Sequence, residues 1–246
     1  MARCRCNNLG MDFAHSPRAL ELRQRMDTFL QRYVLPYNAA WHRSVQDGVY
    51  PPPFLEDLKA LACDEGLWNL FLPGLAADEP GTRLTNLDYA PLAELMGRLP
   101  WAPEVFNCSA PDTGNMELLH RFASPAQRAQ WLVPLLLGQT RSAFAMSEPD
   151  VASSDPTNLQ TTVRKEGDQL VLNGRKWFIT GVSHPHCKLL IVMCRNADSD
   201  DGSSGASHHQ HSMVLVPLDT PGIQVVRNIA VVHHHAPEGH CEIVLR

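Results

Sequence analysis

No two of the seven cysteines stand at CxxC spacing; they are scattered at Cys4, Cys6, Cys63, Cys108, Cys187, Cys194 and Cys241. That pattern supports neither a zinc ribbon nor a thioredoxin-like site, and it reads as a set of reduced thiols in an intracellular protein. Long apolar runs are missing as well. The longest, residues 131–137, contains Pro134 and is far too short to span a bilayer. Positive charge is not in excess: the formal net charge is −5, so nucleic acid is not an expected partner, and an anionic ligand would need local amide or basic donors. Residues 1–10 carry arginines but no apolar signal core, so no targeting signal is evident. There is no internal repeat.

What is present is an ordinary globular composition of 246 residues, 44% hydrophobic and 19% charged, enough for one large or two modest domains. The first half has helical periodicity. Ser16-Pro17 is a capping hydroxyl followed by a proline suited to a first turn, and Leu22, Met26, Phe29, Leu30 and Tyr33 recur at helical spacing before Pro36. Further helices are predicted over 53–65 with Gly66 as the stop, over 85–97 with Pro91 as a kink, and over 115–122. Ser124-Pro125-Ala126-Gln127 has capping-box form and opens a last helix ending at Pro134 or Gly138.

After Gly138 the period changes. The run "DQLVLNGRKWFITG" reads as a hairpin turning at Asn173-Gly174, a pair that tolerates the positive φ angles of a type I′ turn. Runs at 188–195, 212–217, 222–227 and 241–246 are rich in Val, Ile and Leu, and "NLQTTVRK" is another candidate strand. Six or seven short strands suggest a small barrel or sandwich. The polar segment "NADSDDGSSGASHHQHS" has almost nothing to bury and is expected to be a mobile loop. The expected class is therefore α+β: an unstructured segment 1–15, an all-helical domain 16–138 and a small β-barrel domain 139–246.

Between the halves lies "FAMSEPDVASSD", residues 144–155, with three serines and three acids around one proline. These groups suit either a loop that satisfies its own backbone or the seat of a polar, planar, phosphate-bearing ligand at a domain junction. This stretch, followed by "VLNGRKWFITG", resembles the two flavin-contacting segments of the acyl-CoA dehydrogenase family, in particular the subfamily with large multidomain members. "GLWNLFLPG" and "EVFNCSAPDTGNMELLHRF" add to the resemblance, which runs from about Pro17 to Arg246 with the motifs in order.

The resemblance implies a helical and a β-barrel domain enclosing FAD. It implies that Phe144, Ala145, Met146 and Ser147 run along the flavin ring, with the Ser147 hydroxyl and neighbouring backbone groups at the pyrimidine edge. Ser153 or Ser154 would reach the pyrophosphate, and Ser154 would also lie at the acyl-CoA mouth. Phe178, Ile179 and Thr180 would line the ring. Ser147 stands where the family commonly has Thr, Phe178 where it has Trp, and "PDVASSD" is one residue longer than the glycine-rich form. The implied reaction is α,β-desaturation of acyl-CoA thioesters in fatty acid breakdown, mainly in mitochondria. In the family the catalytic carboxylate lies in a C-terminal helical domain that has no counterpart here. The expectation is thus a truncated chain with little or no turnover and no catalytic residue of its own.

Two alternatives stand beside that one. Glu148 is the acid nearest the flavin loop, but it shares a face with the flavin contacts and reads as an acid bonding loop amides. The chain as a whole is alternatively a non-catalytic flavin or acyl-CoA binder, or an interaction fragment forming homo-oligomers or joining full-length subunits. Histidines at 208, 209, 211, 233–235 and 240 make up seven of the twelve; neighbours on a strand alternate faces, so no metal site is expected from them.

Overall fold

The computed structural model describes residues 14–197 and 210–246. Two sequence expectations, the unstructured residues 1–15 and the mobile polar loop, lie wholly or largely outside the described residues, as do Cys4, Cys6, His208 and His209.

Helix α1 (Pro17–Phe29) starts as its cap predicts, with Ser16 Oγ accepting from the Ala19 amide at 3.1 Å. It continues through a π-helical turn at Leu30–Val34. Pro36 has no N–H to return to the previous turn, and the wider turn just before it accommodates the lost bond. Helices α2 (Asn38–Gln46), α3 (Phe54–Asp64) and α4 (Asn86–Met96) follow. The first of these was not foreseen from the sequence. Pro91 lies inside α4 and is buried there without ending it. The short α5 (Ala102–Val105) and then α6 (Asp112–Phe122) lead to α7 (Pro125–Gln127), whose capping box is formed at Ser124 and Gln127. A second π-helical turn (Arg128–Leu132) precedes α8 (Val133–Leu136), so the helix passes Pro134 and stops at Gly138, φ +69°.

The strands β1 (Arg141–Ala145), β2 (Thr162–Glu166), β3 (Gln169–Thr180), β4 (Cys187–Asn196), β5 (His211–Pro217), β6 (Ile223–Asn228) and β7 (His240–Leu245) form one curled seven-stranded sheet, a half-barrel. Its order is β1-β4-β2-β3-β7-β6, with β5 on the far edge of β4. Strand β1 runs parallel to β4 as far as Ala145↔Val192, and β2 takes over the same edge at Thr162↔Arg195.

The predicted hairpin is displaced. Chain reversal occurs at Gly167-Asp168, between the paired Glu166 and Gln169, and Gly167 has φ +61°. Strand β3 runs straight through Asn173-Gly174, changing partner there from β2 to β7. Gly174 serves a different need from a turn: a Cβ on it would lie 2.3 Å from Thr161 Oγ1. Glycine here permits close approach of the Thr161 side chain.

Helices and sheet share their packing. Leu189 and Ile191 of β4 belong to the helical core, whereas Leu190, Val192 and Cys194 fill the inside of the sheet with Ala143, Ala145, Ile179 and Ile243. A strand buried on both faces has a continuous apolar run, which is what "LLIV" is.

Candidate functional site

Strand β3 is irregular where it matters. Its pairing with β7 slips between Lys176 and Ile179, a bulge that leaves Phe178 at φ +52°. A bulky residue in the left-handed region is a true outlier, and such strain gathers at functional positions. The bulge turns Phe178 outward: it is 42% exposed, while Lys176 and Ile179 are buried. Its ring meets that of Trp177 at 4.9 Å. Beside it, the Trp177 amide donates to Ser147 O at 2.9 Å, and the Ser147 hydroxyl donates to Trp177 O at 3.0 Å. An open aromatic face thus stands directly against the end of β1. The Ser147 proton is held by the Trp177 carbonyl, so toward a ligand this hydroxyl presents lone pairs, not a donor. Thr180 Oγ1 lies 2.9 Å from His240 Nδ1 across the β3–β7 ladder.

The loop between β1 and β2 is organised by Glu148 and Lys176. Glu148 accepts from the amides of Gln160 (2.7 Å) and Thr161 (2.9 Å) and from Lys176 Nζ (2.9 Å). Burial raises its pKa, but bonds from Thr161, Lys176 and the Gln160 and Thr161 amides outweigh this and hold the carboxyl below its ordinary value. Lys176, fully buried, also donates to Met146 O at 2.8 Å and Met193 O at 2.7 Å. Ser153 is buried and its hydroxyl accepts from the Glu148 amide at 2.9 Å, whereas Ser154 is exposed.

A second buried polar group joins the helices to these strands. Arg141, at the start of β1, reaches Glu104 of α5 at 3.0 Å, Asp112 of α6 at 2.5 Å and Ser109 Oγ at 2.8 Å. Asp112 also accepts from the Ser142 amide at 2.6 Å. His184, just after β3, accepts the His186 amide on Nδ1, so its Nε2 carries the proton and donates to Glu104 at 3.3 Å. Burial raises the Glu104 pKa, but Arg141, His184 and Lys59 bring it down to about 2. Asp112, sharing the same guanidinium, is pushed up by burial. A cavity of about 330 Å³ adjoins this group, walled by Trp41, Tyr50 and Trp101 and reaching Glu238 and Gly181, the residue after Thr180.

Of the residues singled out in the sequence, Ser147 and Phe178 are brought together through Trp177, whose backbone bonds Ser147 in both directions and whose ring meets that of Phe178. Ala145 and Ile179 are fully buried in the sheet core, so their side chains are out of a ligand's reach, and Phe144 packs against the helices. Ser153 is committed to its own loop and Ser154 is the accessible one. Sequence reasoning missed the Glu104–Arg141–Asp112–His184 group and His240. The usable signal was a single charge set in an apolar context, as at Glu104 and Arg141. Among the described residues no cluster of three or more His, Cys, Asp or Glu is placed to hold a metal, and no helix is long and apolar enough to cross a membrane.

Residues 16–139 match the family model "Acyl-CoA dehydrogenase, N-terminal domain", and residues 143–246 match "Acyl-CoA dehydrogenase, middle domain". The chain belongs to the acyl-CoA dehydrogenase family. Its family relatives include the Mycobacterium tuberculosis protein named "Probable acyl-CoA dehydrogenase FadE2", 50% identical over 95% of this chain and 56% of that protein. "Acyl-CoA dehydrogenase family member 11" of Gallus gallus is 43% identical over 92% of this chain and 28% of its own length. A solved acyl-CoA dehydrogenase from Mycobacterium abscessus superposes with a TM-score of 0.85 at 47% identity, over 94% of this chain and 58% of that one. More distantly, PigA, solved with FAD and proline, shares the fold at a TM-score of 0.73 and 22% identity, over 96% of this chain and 57% of its own. The chain thus spans little more than half the length of these acyl-CoA dehydrogenase relatives, or less. What it holds in common with them is the helical unit followed by the curled sheet.

Proposed function

We propose that this chain provides the flavin seat of an FAD-dependent acyl-CoA dehydrogenase that desaturates acyl-CoA thioesters in fatty acid breakdown. The observation that carries the proposal is the exposed Phe178 ring, held out by a strained bulge and bonded through Trp177 to Ser147. A planar cofactor requires an open aromatic face beside a few placed polar groups, and the residues present fit that requirement. The backbone of residues 144–147 would hold the ring, with Ser147 toward its pyrimidine edge. Phe178 and the Ile179 backbone would hold one side of the ring, and the Thr180 hydroxyl, 2.9 Å from His240 Nδ1, would supply a polar group beside it. Ser154, exposed at the loop, would be available to the pyrophosphate and to the mouth of the acyl-CoA site. FAD bound there would supply the acceptor for a hydride from the β-carbon of the thioester. The chain's residues orient the ring and keep water from one side of it. The aromatic walls of the cavity beyond Gly181 suit the acyl chain.

No residue of this chain is proposed as the base that removes the α-proton. Glu148 is buried within the loop and already accepts from Lys176 and two amides. A mitochondrial site of action is part of this proposal, although relatives of the chain also occur in bacteria. Association into a homo-oligomer or with longer subunits fits strand β6, which among the described residues pairs with β7 alone and leaves Val225 and Val226 about half exposed.

The decisive experiment adds FAD to the purified chain, removes free flavin and records the visible spectrum. A retained flavin band, weakened about tenfold in affinity by the paired Ser147→Ala and Thr180→Ala changes, is expected; that is about 1.4 kcal/mol. A folded but colourless protein removes the proposal for this chain.

A further inference from the structure

Strand β4 has a gap on one edge. Strand β1 leaves it after Val192 and β2 joins only at Arg195, so the Met193 carbonyl lies between two ladders. Lys176 Nζ fills that gap from β3, the next strand but one in the sheet, donating to Met193 O at 2.7 Å. Its two other protons go to Glu148 Oε1 at 2.9 Å and Met146 O at 2.8 Å. All three ammonium donors are therefore used, and the side chain is fully buried. Filling the gap alone would need one neutral donor. The third bond does something else: the Met146 carbonyl belongs to the same peptide unit as the Ser147 N–H, which stands at the flavin edge in the reading given above.

We propose that Lys176 is a positioning residue for the flavin edge: its ammonium polarises the Met146–Ser147 peptide and makes the Ser147 N–H a stronger donor toward the reduced cofactor. A charged donor on a carbonyl strengthens the hydrogen bond made by the N–H of the same amide, and a low-dielectric interior enlarges the effect. Because the Ser147 hydroxyl proton is already held by Trp177 O, the amide is the donor that remains at this residue. Negative charge gathers at the pyrimidine edge on reduction, so a stronger donor there favours the reduced form. Glu148 has a matching duty. It balances the ammonium charge at 2.9 Å, tied down by the Gln160 and Thr161 amides.

This inference rests on the flavin reading, and one series of measurements separates the two. The wild-type chain is first tested for retained FAD by its visible spectrum; a colourless, folded wild type overturns the flavin reading and this inference with it. The paired variant Lys176→Met/Glu148→Leu then removes both charges at nearly unchanged volume, a replacement that buried ion pairs tolerate. Its fold is checked by circular dichroism and its bound-flavin potential by equilibration with a reference dye. The expected result is a folded variant in which the reduced-to-oxidised ratio at a fixed potential falls about tenfold, a shift of about 30 mV to more negative values for a two-electron couple. A potential equal to that of wild type would reduce Lys176 to a filler of the sheet gap and overturn the proposal. If the paired variant does not fold, Lys176→Gln, which keeps a neutral donor, is read in the same way and is expected to lower the ratio about threefold, again overturned by no change.

Discussion

Glu104 shows what one residue does here. It is buried, with Arg141 at 3.0 Å, His184 at 3.3 Å, Lys59 at 3.8 Å and the Tyr50 hydroxyl at 3.3 Å. Removing one partner from a buried ionic group leaves the other charges uncompensated, so Glu104→Gln is expected to destabilise the fold by about 3 kcal/mol at neutral pH. The pH dependence follows from the direction of its shift. With a folded pKa of about 2 against a reference of 4.5, Glu104 contributes its full stabilisation above the reference value. That contribution is lost as pH falls through the window between the two. Asp112 works the other way: its pKa is raised, so protonation in acid relieves it. The test is urea unfolding of wild type and Glu104→Gln between pH 5 and pH 2. The two curves should converge toward acid, and a constant difference across that range would refute the assignment.

At the scale of elements, Gly174 is the sharpest case. Its missing Cβ lets Thr161 lie against β3 where that strand changes partner. Gly174→Ala forces an overlap with Thr161 Oγ1, Cβ and Cγ2, and is expected to cost about 2 kcal/mol through overpacking. Thr161→Gly in the same chain should recover part of that loss, visible as a positive coupling in a double-mutant cycle of thermal unfolding. Strict additivity would mean the contact is not what requires glycine. The same residue shows where the sequence was legible and where it was not. Helices with caps or stop signals, such as α1, α3, α4 and the Ser124 capping box, were readable because their determinants are local. Asn173-Gly174 looked like a turn because the dipeptide is equally suited to a turn and to a crowded strand crossing, and only the position of Thr161 decides between them. Strand β1 went unread because five residues of a doubly covered parallel strand show no alternation. At the site, Ser147, Phe178 and Thr180 came from motif resemblance; the bulge that exposes Phe178, and the roles of Lys176 and His240, depend on partners 17 to 60 residues away.

For the whole molecule, the question is how a helical unit and a half-barrel hold one site between them. Leu189 and Ile191 extend the helical core into the sheet, and Arg141 ties α5 and α6 to the first residue of β1. Gly181, one step past Thr180, sits where a Cβ would lie 3.0 Å from Ser142 O, so β1 and the end of β3 touch backbone to backbone at this junction. Shared packing of this kind makes the two parts unfold together. Arg141→Met leaves Glu104 and Asp112 buried without their common cation, and is expected to cost about 3–5 kcal/mol. The loss falls on the junction, so it should also uncouple the halves. Far-UV circular dichroism reports chiefly on the helices. The emission of Trp177, isolated by Phe replacement of Trp41, Trp68, Trp101 and Trp131, reports on the sheet. In the parent carrying those replacements both probes should trace one urea transition. In Arg141→Met the helical signal and the Trp177 signal should separate, with an intermediate slope of CD loss before the sheet opens. Coincident transitions with a stability change under about 1 kcal/mol would show instead that the apolar contacts of Leu189 and Ile191 suffice to hold the junction, and that the ionic group is dispensable to it.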